Sequence, residues 1–302
     1  MSSQARLFTS SSHLPLKKNL QMKSIYFGKT PMLFSIVAIA LVYSLTGCGN
    51  NTQNQKTEET VDTEETSVDI SALTKIADTT LTDKKISVLV RDSLTSKNET
   101  FYIKVTDLEG NPVTNTNLDY NVIMDMGMMS HGGPYYPIVD LGNGLYKAEV
   151  VFIMANMKDM GKGWILNTVV NKTDTLAFLL PVSEVKQVRT IPVGTKDDGR
   201  VFVSLLLDDE VKTGSKPIDF TLHKMEKEKF PELDGYTIEA EPFMPDMGHG
   251  SSGNEAATGK GNGRYSGTVN FSMKGPWIVK VNLLKNGEKV SQEELVFPVV
   301  VK

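Results

Sequence analysis

Two short stretches of the chain combine methionine, histidine and glycine, and their side chains are the ones best suited to hold a metal ion. The first, residues 124–133, contains His131, and the second, residues 244–250, contains His249. Of the 14 methionines, three lie in the N-terminal leader and one is Met225, so ten lie in these stretches or in the segments that follow them. Thioether sulfur and imidazole nitrogen suit a soft cation such as Cu(I), whereas Ca²⁺ and Mg²⁺ prefer oxygen ligands.

Each stretch contains a Met-x-His sequence, which can present sulfur and nitrogen to one ion from a single turn. A third donor is expected from the methionine of a Phe-x-Met strand that follows each stretch. Trp164 and Trp277 could cover the ion, because a cation is attracted to the face of an indole ring. The candidate metal ligands are Met126, Met129, His131, Met154, Met244, Met247, His249 and Met273.

Ordinary packing is the competing interpretation of these residues. Methionine is a flexible core residue that packs well against aromatic rings. In Phe152-x-Met154 and Phe271-x-Met273 the two side chains share one face of a strand, and tryptophan is commonly a core anchor. The histidine and glycine residues beside the methionines favour the metal interpretation, since packing alone does not select them.

The two stretches belong to an internal repeat. Each is followed by Gly-x-Tyr, then by Phe-x-Met, then by tryptophan. The histidine precedes the tyrosine by 15 residues in the first copy and by 16 in the second, and it precedes the Phe-x-Met methionine by 23 and 24 residues. The shared order and spacing predict two copies of one small domain.

Short segments of alternating polarity, separated by turn residues, predict β-strands, and no helical period separates them. The fold class expected is all-β, with two tandem immunoglobulin- or cupredoxin-like β-sandwiches at residues 71–188 and 189–302. Residues 250–263 are expected to form a glycine-rich loop, and Asn286-Gly287 predicts a hairpin turn. The predicted strands are 86–90, 100–106, 118–124, 145–154, 164–170, 174–182, 201–207, 218–223, 236–242, 265–273, 277–284 and 294–301.

Length and composition exclude some classes of function. A chain of 302 residues corresponds to about two domains of roughly 150 residues each. The net charge of −4 and the lack of a basic patch argue against a nucleic-acid partner. The sequence has no nucleophile–base arrangement, no phosphate-binding loop and no pair of carboxylates beside a glycine-rich turn, so we do not expect an enzyme.

The N-terminal residues are typical of an exported lipoprotein. Residues 1–47 read as a signal peptide, with a possible over-called start, because an apolar stretch at 32–45 is too short to span a membrane. Leu45-Thr46-Gly47-Cys48 resembles a bacterial lipobox, which makes Cys48 the lipidated residue. Residues 48–70 then form an acidic, flexible tether. The expected location is the bacterial cell envelope, periplasmic or surface-facing, with the membrane held through the lipid.

The repeated motifs resemble those of the FixH/YtkA-like family of small exported β-sandwich domains. The residues concerned are Met126-Gly127, His131, Gly144-x-Tyr146, Phe152-x-Met154 and Gly163-Trp164, and in the second copy Met244, Met247-Gly248-His249, Gly263-x-Tyr265, Phe271-x-Met273 and Gly275-Pro276-Trp277. Such domains are associated with copper handling and with cytochrome oxidase assembly. The resemblance implies a lipid-anchored protein that binds or delivers Cu(I).

Three functions remain open on the sequence alone. The first is Cu(I) binding through the Met/His clusters, in delivery to an efflux system or to an oxidase-assembly protein. The second is a structural or adaptor β-sandwich lipoprotein that binds a protein partner and no metal. The third is a small-ligand site in the glycine-rich loop.

Overall fold

The computed structural model describes residues 68–208, 210–227 and 229–302. These residues all belong to one compact unit, residues 65–302. The predicted signal peptide, Cys48 and all but the last residues of the predicted tether lie outside them. Within the described part of the chain, no helix is both long and apolar enough to cross a membrane.

The structure is all-β, as predicted, and the described residues form 19 strands and two short 3-10 turns, at Ile70–Ala72 and Pro245–Met247. The strands are β1 (Thr74–Leu81), β2 (Lys84–Val90), β3 (Asn98–Asp107), β4 (Leu118–Asp125), β5 (Ser130–Gly132), β6 (Tyr135–Asp140), β7 (Leu145–Val151), β8 (Gly163–Val170), β9 (Asp174–Leu180), β10 (Thr190–Thr195), β11 (Gly199–Leu206), β12 (Gly214–Lys224), β13 (Tyr236–Met244), β14 (His249–Gly250), β15 (Glu255–Gly261), β16 (Arg264–Phe271), β17 (Gly275–Lys285), β18 (Glu288–Lys289) and β19 (Leu295–Val301).

The strands fall into two sets with the same order. In the first set, sheets β1-β2-β3-β7-β6 and β5-β4-β8-β9 face each other. In the second set, β10-β11-β12-β16-β15 and β14-β13-β17-β19 repeat that order, and a short β13–β15 pairing joins them into one sheet. We call residues 74–182 sandwich 1 and residues 190–301 sandwich 2. The common strand order is what a duplicated domain would produce.

Each sandwich has its own hydrophobic core. Alternate residues of each inner strand point inward, as in β13, where buried and partly exposed positions alternate along the strand. The core of sandwich 1 includes Phe152 and Trp164, and that of sandwich 2 includes Phe271 and Trp277. The tryptophans and phenylalanines of the repeated motif therefore anchor both cores.

The Gly-x-Tyr motif forms a turn whose conformation is fixed by hydrogen bonds to neighbouring backbone. Gly144 has a φ of +67°, and its carbonyl accepts a hydrogen bond from the Val105 N–H at 2.7 Å. A Cβ atom at Gly144 would collide with the Val105 carbonyl oxygen, so only glycine fits. The Tyr146 hydroxyl donates to the Thr116 carbonyl at 2.9 Å. Sandwich 2 repeats these contacts at Gly263 with Leu222 and at Tyr265 with Leu233.

All twelve predicted strands are present, and seven further strands were not predicted. Three of the seven contain only two or three residues, which is too short for an alternating pattern to be visible. The prediction of a loop at residues 250–263 is wrong, because β15 occupies half of it and buries Ala257 completely. The predicted Asn286-Gly287 turn is confirmed: both residues have positive φ, and Lys285 pairs with Glu288.

Side chains of the two sandwiches meet across their junction. The Arg264 guanidinium forms an ion pair with Glu149 at 2.7 Å and stacks on the Tyr136 ring at 4.1 Å from its centroid. The other neighbour of Tyr136 is the ring of His223, with 5.2 Å between ring centroids. Burial, together with the positive charge of Arg264, lowers the pKa of His223 to about 3, so this imidazole is neutral at ordinary pH.

Candidate metal centre

The hairpin formed by β4 and β5 positions the first histidine. Met124 of β4 pairs with His131 on one side and with Trp164 of β8 on the other. Directly paired residues of an antiparallel sheet place their side chains on the same face. Met124, His131 and Trp164 therefore form a row on the inward face of the sheet, at the end of sandwich 1.

The His131 ring is held in one orientation and in one tautomer. Its Nδ1 lies 2.7 Å from the Gly132 carbonyl oxygen, which can only accept, so Nδ1 carries the proton. In the neutral form of this imidazole, Nε2 is then the nitrogen that carries the lone pair. The ring also meets the edge of Trp164, at 5.6 Å between centroids and 83° between planes. Metal-binding histidines commonly donate their second ring nitrogen to a carbonyl in this way.

Trp164 packs against the His131 ring and supports it from the core of sandwich 1. It is completely buried, packs edge-on against Phe152 at 5.2 Å, and donates its indole N–H to the Met154 carbonyl at 2.8 Å. The Asn156 side chain accepts from the Trp164 backbone N–H at 2.9 Å. The indole thus fixes the start of the loop that carries Met154.

Sandwich 2 repeats the arrangement around its own histidine. Met244 pairs with His249, whose Nδ1 lies 2.9 Å from the Gly250 carbonyl oxygen. The His249 ring meets the edge of Trp277 at 6.0 Å between centroids. Trp277 donates its indole N–H to the Met273 carbonyl at 3.0 Å and packs against a phenylalanine ring. Both histidines therefore have the same tautomer and the same aromatic support.

The methionines of the predicted ligand set differ in exposure. Met129 and Met247 are 65% and 60% exposed, Met273 is 38% exposed, and Met126 and Met154 are partly buried against the core. Met244 is only 3% exposed and belongs to the core of sandwich 2.

Strand registers correct two details of the sequence interpretation. Counting back from each histidine aligns Met244 with Met126, but the pairing with histidine makes Met244 equivalent to Met124. The reason is that β4 continues one residue past Met124, to the Asp125–Ser130 pair, whereas Met244 and His249 form the last pair before their turn. The turns themselves, 126–129 and 245–248, have the same length. In addition, Met154 and Met273 lie in loops rather than in strands, since β7 ends at Val151 and β16 ends at Phe271.

The loop that follows the Phe-x-Met phenylalanine is longer in sandwich 1 than in sandwich 2, and it carries three methionines instead of one. The loop from β7 to β8, residues 152–162, crosses the β4–β5 turn so closely that a Cβ atom at Gly161 would collide with the backbone of Asp125 and Gly127. Met157 packs on the core, whereas Met160 is exposed. In sandwich 2 the matching loop is only residues 272–274. Sandwich 1 thus gathers more thioethers at its tip.

Clefts with different linings lie near the two histidine hairpins. A cleft of about 370 Å³ beside His131 is lined in part by Lys229 of sandwich 2. A larger groove, of about 680 Å³, is lined by Gly250 but not by His249, and its charged lining residues are Glu239, Glu241, Glu255 and Lys280. In the described part of the chain, no three His, Cys, Asp or Glu side chains converge as a metal cluster.

The candidate ligands taken from the sequence did not include Met124, which the structure places opposite His131, and His223 was treated as an ordinary strand residue. The alternating pattern of β4 carries a signal for the former, because Tyr120, Val122 and Met124 all occupy its inward positions. No comparable signal marks the loop crossing at Gly161, since it depends on the tertiary packing of two loops.

Comparison with known families finds a match for part of the chain. A family model described as YtkA-like matches residues 196–282, which include Met244, His249 and Trp277. No curated protein matches the chain. The Escherichia coli adhesin FdeC matches at 18% identity over 75% of this chain and 66% of its own, with a TM-score of 0.23.

Two further solved structures give similar values. Domains 5–6 of the S-layer protein SbsC match at 13% identity, over 76% of this chain and 98% of that one, with a TM-score of 0.28. Invasin, a bacterial integrin-binding protein, matches at 13% identity over 72% of this chain, with a TM-score of 0.24. The chain spans 66% of the FdeC chain and 40% of the invasin chain.

Proposed function

We propose that this protein is a lipid-anchored protein of the bacterial envelope that binds Cu(I) at the tip of each β-sandwich. It is a binding protein, not an enzyme, and it acts in copper delivery or efflux. Its partners are the membrane, held through the lipid on Cys48, and a copper efflux or oxidase-assembly protein.

The observation that carries this proposal is the hydrogen bond from Nδ1 of each histidine to the carbonyl oxygen of the glycine that follows it. His131 Nδ1 and His249 Nδ1 both donate to a main-chain carbonyl, which leaves Nε2 as the basic nitrogen in both copies. A neutral imidazole with a fixed ring and a free Nε2 is ready to bind a metal. Trp164 and Trp277 hold the rings from the other side.

Thioethers at the two tips supply the soft donors that Cu(I) prefers. The methionines that fit are the exposed Met129 and Met247, with Met154 and Met273 in the adjoining loops. Methionine in these turns is also exposed enough for another protein to exchange ligands with the ion. This exposure supports transfer of copper rather than permanent storage.

The binding proposal is tested by titration of a fragment comprising residues 65–302, the compact unit, with Cu(I) against a chromophoric chelator. We expect two Cu(I) ions for each chain. The pair of changes Met247→Ala and His249→Ala should remove one ion, and Met129→Ala with His131→Ala should remove the other. Thr258→Ala, on an exposed face of sandwich 2, is a control that should keep both. A fragment that never competes with the chelator would refute the proposal.

A second candidate function is a non-metal adaptor that binds a protein partner. It is favoured by the apolar side chains at the tip of sandwich 1, where Met128 is fully exposed beside Met129. In that case the fragment would bind no Cu(I), and replacing Met128 and Met129 with serine would weaken association with the partner without any dependence on metal.

A further inference from the structure

We propose that Met124 and Met244, the two methionines buried beside the histidines, each donate their sulfur to the metal as the inner ligand of the two sites. This inference rests on the proposed Cu(I) function. It adds Met124 to the candidate ligands of sandwich 1, where the Met-x-His motif does not contain it, and it gives Met244, already a candidate, the same inner position in sandwich 2.

The strand register places each of these methionines next to a histidine. Met124 is the direct cross-strand partner of His131, and Met244 is the direct partner of His249. Side chains at directly paired positions lie on the same face, with Cβ atoms about 4.5–5.5 Å apart. Methionine adds three further bonds beyond Cβ, so its sulfur can reach an ion held by the neighbouring imidazole.

In the sheet of sandwich 1, Met124 also lies between His131 and Trp164 in the cross-strand row. Met124 pairs with His131 on one side and with Trp164 on the other, and these two rings meet each other at 5.6 Å. The side chain of Met124 is completely buried at this position. An ion on the inner side of the imidazole would therefore lie on the same face of the sheet as the Met124 thioether.

Burial lowers the entropy cost of binding an ion for the thioethers of Met124 and Met244, compared with the exposed thioethers of Met129 and Met247. Met129 and Met247 are 65% and 60% exposed, so they must lose rotamer freedom when they bind an ion. Met124 and Met244 have already lost that freedom on folding, since both are core residues. The rotamer entropy of a methionine corresponds to roughly a tenfold difference in affinity.

Packing alone does not demand methionine at these positions. Leucine has a similar volume and is the swap that cores tolerate best. The methyl group of Met244 already lies close to the backbone of Gly275, where an added Cβ would be 3.3 Å away. Sulfur is the property that leucine lacks, so replacing methionine with leucine separates a ligand role from a packing role.

The test compares Met124→Leu and Met244→Leu with the matched exposed changes Met129→Leu and Met247→Leu, all in the fragment of residues 65–302. We expect each buried change to weaken Cu(I) binding at its own site by at least tenfold, with a thermal midpoint close to that of the wild type. The exposed changes should weaken binding less. Equal Cu(I) affinity in the wild type and in the buried variants would overturn the inference while leaving the proposed function in place.

A measurement on the wild-type fragment makes the test independent of any variant. Methyl-¹³C methionine is incorporated, and Ag(I), a diamagnetic substitute for Cu(I), is added to two equivalents. The methyl signals of Met124 and Met244 should both shift as Ag(I) is added, and each shift should be complete when its own site holds one Ag(I) ion. Shifts confined to the exposed methionines would overturn the inference alone, whereas no response to Ag(I) and no competition for Cu(I) would overturn the inference and the proposed function together.

Discussion

Replacement of the buried His223 with phenylalanine should make the protein less sensitive to acid. His223 is completely buried at the junction of the sandwiches, and neither ring nitrogen has a hydrogen-bond partner among the described residues. Phenylalanine keeps the edge-on contact with Tyr136 and removes the titrating group. The change therefore isolates the contribution of one imidazole to stability.

The sign and size of the effect follow from the pKa of His223. In the unfolded chain this pKa is about 6.5, and in the folded protein it is lowered to about 3. As the pH falls, His223 is therefore protonated in the unfolded chain before it is protonated in the folded protein. Its contribution to the free energy of unfolding is fully present above pH 6.5 and is lost progressively between pH 6.5 and about 3. At pH 5 the solution is about 1.5 pH units below the unfolded-state pKa of about 6.5. Protonation of His223 in the unfolded chain therefore lowers the free energy of unfolding by about 2 kcal/mol at that pH.

The assay is urea unfolding of residues 65–302, followed by tryptophan fluorescence at pH 7 and at pH 5. The wild type should lose about 2 kcal/mol more than His223→Phe between the two pH values. Thr221→Val, at a buried position that does not titrate, should shift the stability equally at both pH values. Equal pH dependence in the wild type and His223→Phe would refute the reasoning.

Three further changes test the packing around the site and between the sandwiches. Glu149→Gln removes the carboxylate that pairs with Arg264 at 2.7 Å, and it should lower the free energy of unfolding by about 1 kcal/mol, measured by urea unfolding at low and at high salt. Trp277→Phe leaves a main-chain carbonyl without its indole donor, so it should cost about 1–3 kcal/mol in thermal unfolding and weaken Cu(I) binding at sandwich 2 only. Gly144→Ala should destabilise more than Gly142→Ala in the same thermal assay, by about 1–3 kcal/mol, because both have positive φ but only the first would collide with neighbouring backbone.

Much of the strand framework could be predicted from alternating polarity. The segment from Leu118 to Met124 reads as a strand and is one, and the Asn286-Gly287 turn follows from the positive φ that both residues must adopt. Strand β15 was missed because glycine and polar residues hide its pairing with β16. The two-residue strand β14 is too short to carry a pattern.

The site itself was predicted in part. Spacing singled out His131 and His249, but counting residues could not show which methionine stands opposite each histidine, because the first hairpin has one more cross-strand pair between that methionine and the turn. The carbonyls that fix the histidine tautomers belong to the backbone and leave no mark in the sequence. The ion pair between Glu149 and Arg264 joins residues 115 positions apart, which local patterns do not reveal.

The most direct measurement of the central claim is the ¹⁵N spectrum of histidine-labelled residues 65–302, with and without two equivalents of Cu(I). The account predicts that the Nε2 signals of His131 and His249 move on addition of Cu(I), while both Nδ1 atoms keep their protons. Nδ1 is expected to stay protonated because it donates to the Gly132 and Gly250 carbonyls. Histidine signals that do not respond to Cu(I), or loss of the proton from Nδ1 instead, would contradict it.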